Sequence, residues 1–205
     1  MLPEFLHCAD IHLGYVQYNI QQRSRDFAKV FGDIADYATK TSPPFVLIAG
    51  DLFHKRNINA FTYLQAFKVL SRFKNAHIPV IAIEGNHDVA YFKDRWSWLE
   101  ALASQDMLTL LRPLGDKLVE YVIIDGTMIC GTKYMGSRTE SLLPKIEEQI
   151  STLQERESPE NTILMMHCGV DQQGYRASDS VSLSSLVSLK EVVDYLALGH
   201  YHDHF

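Results

Sequence analysis

Five apolar runs in this chain each end on a short polar motif, and that arrangement leaves few folds open to it. Glu4-Phe-Leu-His-Cys-Ala precedes Asp10-Ile-His12, Phe45-Val-Leu-Ile-Ala precedes Gly50-Asp51, and Pro79-Val-Ile-Ala-Ile precedes Gly85-Asn86-His87-Asp88. Further on, Thr162-Ile-Leu-Met-Met precedes His167, and Tyr195-Leu-Ala-Leu precedes Gly199-His200-Tyr-His202. Such runs read as buried strands, and open α/β sheets place their sites in the crevice beyond the strands' carboxyl ends. Helical patterns fill the gaps. Residues 21–41 carry Phe27, Val30, Phe31, Ile34 and Ala38 at helical spacing, 59–73 carry Leu64, Phe67 and Leu70, and 96–111 and 141–156 continue in the same way. Residues 118–124 and 127–131 predict a hairpin about Asp125-Gly126. The aromatic residues of 61–73 and 96–99 read as core. Asp33, Asp36, Asp94 and Glu100 read as solvated helix faces.

The motif residues share a chemistry. Two divalent ions about 3.5–4 Å apart can clamp the attacking and leaving oxygens of a phosphoryl displacement, and such a pair needs a bridging carboxylate. Asp51 is the natural bridge, with two oxygens and ligand sets on either side of it in the sequence. Imidazoles and a carboxamide fill the remaining positions. A mixed His, Asp and Asn shell suits manganese, iron or zinc better than calcium or magnesium. Manganese or iron is therefore the expected pair. Each motif alone is weak, because Asp-x-His and Gly-Asp occur by chance and Gly-Asn-His is also an ordinary turn sequence. Their order, each after an apolar run, makes the set specific.

These residues resemble the calcineurin-like metallophosphoesterase superfamily, and within it the SbcD-type DNA double-strand-break repair exonucleases. The resemblance spans nearly the whole chain. It rests on Asp10-Ile-His-Leu-Gly-Tyr, Ile48-Ala-Gly-Asp-Leu-Phe-His54, Ile78-Pro-Val-Ile-Ala-Ile-Glu-Gly-Asn-His-Asp88, Gly131-Thr-Lys-Tyr-Met-Gly136, Ile163-Leu-Met-Met-His167 and Leu198-Gly-His-Tyr-His202. For the subfamily the discriminating piece is Gly-Asp-Leu-Phe-His, because phosphoprotein phosphatases carry Asp-Arg-Gly after Gly-Asp and this chain has His54-Lys55-Arg56-Asn57. The resemblance implies a four-layer sandwich, two packed mixed β-sheets flanked by helices. It implies that Asp10, His12, Asp51 and His202 hold one ion and Asp51, Asn86, His167 and His200 the other. His87 and His54 are then left for catalysis. His87 would protonate the leaving alkoxide, with Asp88 orienting it, and His54 would contact the phosphate. Water acidified by a divalent ion would supply the nucleophile. His7, His77 and His204 match no ligand position.

Composition agrees with one enzyme domain over residues 1–205: 46% of residues are hydrophobic and 21% charged, enough to bury a core. No signal peptide or membrane span is visible, so a cytoplasmic protein is expected, nuclear if eukaryotic. Cys8, Cys130 and Cys168 are odd in number and widely spaced, and read as buried thiols, with a ligand role for Cys168 left open beside His167. The net charge of −6 counts against a DNA partner, although Arg23, Arg25 and Lys55-Arg56 offer a basic rim. The resembling nucleases pair two subunits through helices of the region 61–73 and 96–99, carry a DNA-contacting capping domain, and dock on an SbcC-type ATP-driven coiled-coil partner. The chain ends just after its last motif, so it is expected to be a nuclease core without cap or docking segment. The loop 169–181 is a plausible specificity element. Three functions stay open: a manganese-dependent DNA nuclease, a phosphodiesterase of small nucleotides, and a non-catalytic interaction module.

Overall fold

The computed structural model of the protein describes residues 2–91, 94–171 and 179–201. Two four-stranded sheets lie face to face. In the first, β1 (Leu6–Cys8), β2 (Val46–Ala49), β3 (Val80–Ile83) and β4 (Thr109–Leu110) run side by side in chain order and parallel throughout. In the second, the order is β10 (Tyr195–Gly199), β7 (Asn161–His167), β6 (Thr127–Gly131), β5 (Glu120–Ile124); only β5 is antiparallel. That sheet is mixed because β5 and β6 form the hairpin that Asp125-Gly126 predicts. Both turn residues have positive φ, 46° and 75°, which matches the right-handed twist of the strands they join.

The apolar runs are continuous because the central strands are covered on both faces. Along β2 and β3, Val46, Ile48, Val80 and Ala82 face the helices α1 (Gln21–Thr41) and α2 (Ala60–Asn75). Their neighbours Leu47, Ala49, Ile81 and Ile83 face the second sheet, where they meet Ile129, Ile163, Met165 and Ala197. The outer face of the second sheet, through Met128, Cys130, Leu164 and Met166, packs on Leu143, Ile146 and Ile150 of α4 (Thr139–Glu157). The result is helix, sheet, sheet, helix. Among the described residues no helix is long and apolar enough to cross a membrane.

Two details differ from the expected pattern. Val30 and Leu64 share their helices' periodicity but are exposed, as are Phe61 and Trp96 among the aromatics expected in the core. The stretch 96–111 is not one helix: α3 (Trp98–Ala103) stops and the chain enters β4, which pairs with β3. Cys168, directly after β7, is the buried thiol expected: it packs in the outer core with the residues of α4, and burial pushes its thiol up to about 12.

The sheets touch closely at Gly131, where a Cβ would stand 2.6 Å from Ile83 Cγ2 and 2.7 Å from Leu111 Cβ. Neither atom is the end of a flexible chain that could swing clear, so even one methyl must push the sheets apart. Gly131→Ala should cost about 1–3 kcal/mol, read as a lower urea midpoint with an unchanged slope.

Candidate metal centre

All described motif residues gather at one edge, where the carboxyl ends of both sheets meet. The first sheet supplies Asp10 and His12 after β1, Asp51 after β2, and Asn86 and His87 after β3; the second supplies His167, which ends β7, and His200, which follows β10. To turn a side chain back over its own strand end, the backbone enters a region that L-residues rarely occupy. Asp10 (φ 55°), His12 (48°), Asp51 (54°) and His200 (99°) all do so, and Gly50, just before Asp51, has φ 93°. Such strain persists only where the surroundings overdetermine it. Here they do: the amides of Asp10, His12 and Leu13 donate to the carbonyls of Gly50, Asp51 and Leu52, and that of His54 donates back to Leu13. The His200 amide donates to Asp10 Oδ2 (2.9 Å), tying the two sheets together at the site.

Asp51 is at the middle, only 2% exposed. Its Oδ1 accepts the His87 amide at 2.9 Å, while Oδ2 stands 3.4 Å from His167 Nε2, 3.7 Å from His12 Nε2 and 3.9 Å from His87 Nε2. Burial raises its carboxyl, but the neighbouring His167 and the His87 amide outweigh that and hold it below the usual carboxylate range. His167 is pushed down by burial and further up by Asp51, ending above its ordinary value. Burial and the charge of His167 lower His200. Gly85 leaves the space this needs, because a Cβ there would lie 2.1 Å from Asp51 Oδ1.

Donor chemistry shows that a cation fits. The Nδ1 of His167 lies 2.8 Å from the Ala49 carbonyl, which can only accept, so the ring proton sits there and the Nε2 lone pair faces inward. Inward of it are Asn86 Oδ1 at 3.2 Å and Asp51 Oδ2 at 3.4 Å. Three electron-pair donors thus converge, and either a proton on His167 or a metal ion must lie between them. His200 Nδ1 reaches the same Asn86 oxygen at 3.2 Å. Ligand atoms of Asp10, His12 and Asp51 also lie within 4.8 Å of one another, a second group built on the same carboxylate. His202, expected in that group, lies outside the described residues.

His54 and His87 stand at the mouth. Their rings stack at 5.3 Å, with the His12 ring edge-on at 5.1 Å from His87, and Tyr15 packs on His54 at 4.0 Å. His87 Nδ1 donates to the His54 carbonyl at 2.7 Å, which turns Nε2 towards the centre. Asp88 does not orient His87, contrary to expectation. Buried instead, its carboxylate accepts the amides of Leu52 (3.2 Å), Phe53 (3.0 Å) and Gly85 (3.1 Å), fastening the Asp51 loop to the Asn86 loop. Burial and the nearby Asp51 charge push its pKa up to about 7, against the pull of those amides. Asp88→Ala would strand three inward amides and should cost about 3 kcal/mol, with Asp88→Asn intermediate, measured by thermal unfolding with chelator present.

Two neighbours lie within motifs that carry the family resemblance, although their residue types suggested no role at the site. Tyr134 places its ring 6.1 Å from His167 and 6.2 Å from His200 and donates to Asp179 at 2.6 Å. Tyr15 closes the Asp10-Ile-His-Leu-Gly-Tyr motif and backs His54. Of the basic residues singled out, Lys55 and Arg56 line the cavity beside His54 and His87, and Arg56 donates to the Asn86 carbonyl; Arg23 pairs with Asp26 on α1 instead.

Comparison with known proteins agrees with this geometry. The DNA double-strand break repair protein Mre11 of Archaeoglobus fulgidus is 32% identical over 97% of this chain and 46% of its own length; that of Saccharolobus solfataricus is 30% identical over 98% and 50%. The chain thus spans about half the length of these curated relatives. A solved dimetal phosphatase from Danio rerio, 11% identical, superposes with a TM-score of 0.55 over 94% of this chain and 78% of its own, a likeness of fold. Residues 3–204 match the calcineurin-like phosphoesterase description end to end, and the chain belongs to that family.

Proposed function

We propose that this chain is a metal-dependent phosphodiesterase acting on DNA, the nuclease core of a double-strand-break repair exonuclease or endonuclease. The observation that carries the reading is the Asp51 carboxylate shared between two donor groups, with a positioned imidazole, His87, beside them. Asp10, His12 and Asp51, joined by His202, would hold one cation; Asp51, Asn86, His167 and His200 would hold the other. When bound, the pair, Mn2+ by preference and Fe2+ next, supplies Lewis-acid polarisation of the phosphate and acidifies water. The protein's residues do the rest. His87, its Nδ1 proton fixed on the His54 carbonyl, carries a second proton on Nε2 and delivers it to the leaving alkoxide. His54, backed by Tyr15, positions the phosphate.

The Mre11 relatives support DNA as substrate. In a longer protein, an SbcC-type ATP-driven partner would feed it, in the cytoplasm or a nucleus. Phe61 and Leu64, exposed on α2, would pair two copies; light scattering that gives only a monomer mass removes that pairing.

The deciding experiment incubates the purified chain and end-labelled linear DNA with Mn2+, with EDTA, and with EDTA followed by excess Mn2+. Cleavage that EDTA abolishes and Mn2+ restores is expected. Hydrolysis of only a p-nitrophenyl ester of thymidine monophosphate would shift the assignment to a small-nucleotide phosphodiesterase, and inactivity on both to a binding module.

A further inference from the structure

The metal centre does not use the basic and aromatic surface next to it. Two cavities, of about 540 Å³ and 700 Å³, adjoin there and share Arg56, Asn57 and Tyr91. The first contains His54, His87 and Asn86; the second extends past Arg95 to Trp96 and Trp98. Together they make one trough that starts at the catalytic imidazole, within the size range of small-ligand sites. Arg56 is the hinge between the two: its guanidinium donates to the Asn86 carbonyl and lies 5.7 Å from the Tyr91 ring centroid.

We infer that this trough is a nucleobase subsite, which takes an unpaired base adjoining the scissile phosphate by stacking it on Trp96 and Tyr91. The inference rests on the reading of the centre as a DNA phosphodiesterase. Trp96 is 74% exposed and Tyr91 50%, so both rings offer an open face. Among the described lining residues the cations Lys55, Arg56 and Arg95 stand against one carboxylate, Asp94, in a chain whose net charge is −6. Interleaved aromatic faces and cations are what a single strand requires, since every base has a π-face and every nucleotide a phosphate. A base within a duplex already stacks on its neighbours and has no face to give, so the subsite selects frayed or single-stranded ends.

The backbone that carries Trp96 is also joined to the loop of the metal centre. Trp96 directly precedes Ser97, which caps α3 reciprocally with Glu100; Glu100 pairs with Arg112, and Arg112 lies 3.6 Å from Glu84, the residue before Gly85. A chain of polar contacts thus links Ser97, the residue after Trp96, to Glu84, which precedes the Gly85-Asn86-His87 loop.

The test measures binding to metal-free protein in EDTA, by anisotropy of a labelled oligothymidylate and of an abasic strand of equal length and charge. Wild type should prefer the base-bearing strand by about 10-fold or more. Trp96→Ala should lose that preference with an unchanged melting temperature, and Trp96→Phe should keep most of it. Equal binding of the two strands by wild type overturns the subsite, whatever the cleavage assay shows. Retained base preference in Trp96→Ala, with a halved mass in light scattering, also overturns it and makes the trough an interface between copies. Base preference without Mn2+-dependent DNA cleavage upholds the subsite and removes the nuclease reading, so the two fail separately.

Discussion

Asp51→Ala should lower Mn2+-dependent phosphodiester hydrolysis by about 1,000-fold or more and abolish stoichiometric binding of both cations in calorimetry, the largest loss of any single substitution in this chain. Replacing groups that merely orient metal ligands costs about 10–100-fold in affinity or activity, and removing one preorganised charge-stabilising donor costs about 100–1,000-fold. Asp51 combines both roles. Its Oδ2 lies within 3.9 Å of a ring nitrogen of His12, His167 and His87 alike, and its Oδ1 receives the His87 amide, so its loss empties two donor groups and releases the loop of the proposed acid. Asp51→Asn separates charge from shape. The amide oxygen can still accept from His87, whereas an NH2 group towards His167 and His12 repels a cation. It should fold normally and bind neither ion. One bound ion and partial activity in Asp51→Asn would show that the carboxylate is not shared.

The same pair predicts a pH dependence. Without cation, the Asp51–His167 attraction stabilises the fold only while Asp51 is ionised and His167 protonated. The Asp51 carboxyl is lowered, so its contribution is present above the ordinary carboxylate range and lost as pH falls through its folded value. The His167 imidazole is raised, so its contribution is present below the ordinary histidine range and lost as pH rises through its folded value. Because a cation must displace that proton, Mn2+ affinity should rise with pH across the His167 titration and level off above it.

How the site could be read from sequence, and where that reading stopped, follows from the packing. Strands buried on both faces leave long apolar runs, so Ala49, Ile83 and Met166 mark where strands end and where ligands begin. Ligands of different strands converge only because the sheets share an edge, and spacing along the chain carries no trace of that; the motifs' resemblance to a known family supplied it. Asp88 cannot be read from its neighbour His87, because two of its three amide partners lie 35 and 36 residues away. Val30 and Leu64 satisfy helical periodicity yet face outward, since periodicity gives a stripe's spacing but not its width. Residues 109–110 read as helix because two residues are too short to show alternation; only the neighbouring strand makes them β. Trp96 was assigned to the core on residue type, and its exposure is what gives it a further role.

His87→Ala should separate proton delivery from metal binding. For DNA, whose leaving group is an alkoxide, hydrolysis should fall by about 100–10,000-fold, the span that a positioned general acid contributes. For a p-nitrophenyl diester the leaving phenolate departs without a proton, and the same variant should lose far less. Mn2+ binding should not change, because Asp51 is held by the backbone amide of residue 87, which alanine retains, and not by the imidazole. The alternative is specific: ring nitrogens of His12, His54 and His87 also lie within 4.8 Å of one another, close enough to share a cation. If His87 were a ligand of that group, both substrates would lose activity equally and one Mn2+ would leave with the side chain. Its Nδ1 is committed to the His54 carbonyl, so only Nε2 could ligate, and that nitrogen is at the mouth, where a leaving oxygen would depart. A leaving-group-dependent loss with both cations retained is therefore the expected result, and His54→Ala, which keeps the backbone carbonyl, should preserve that dependence while weakening substrate binding.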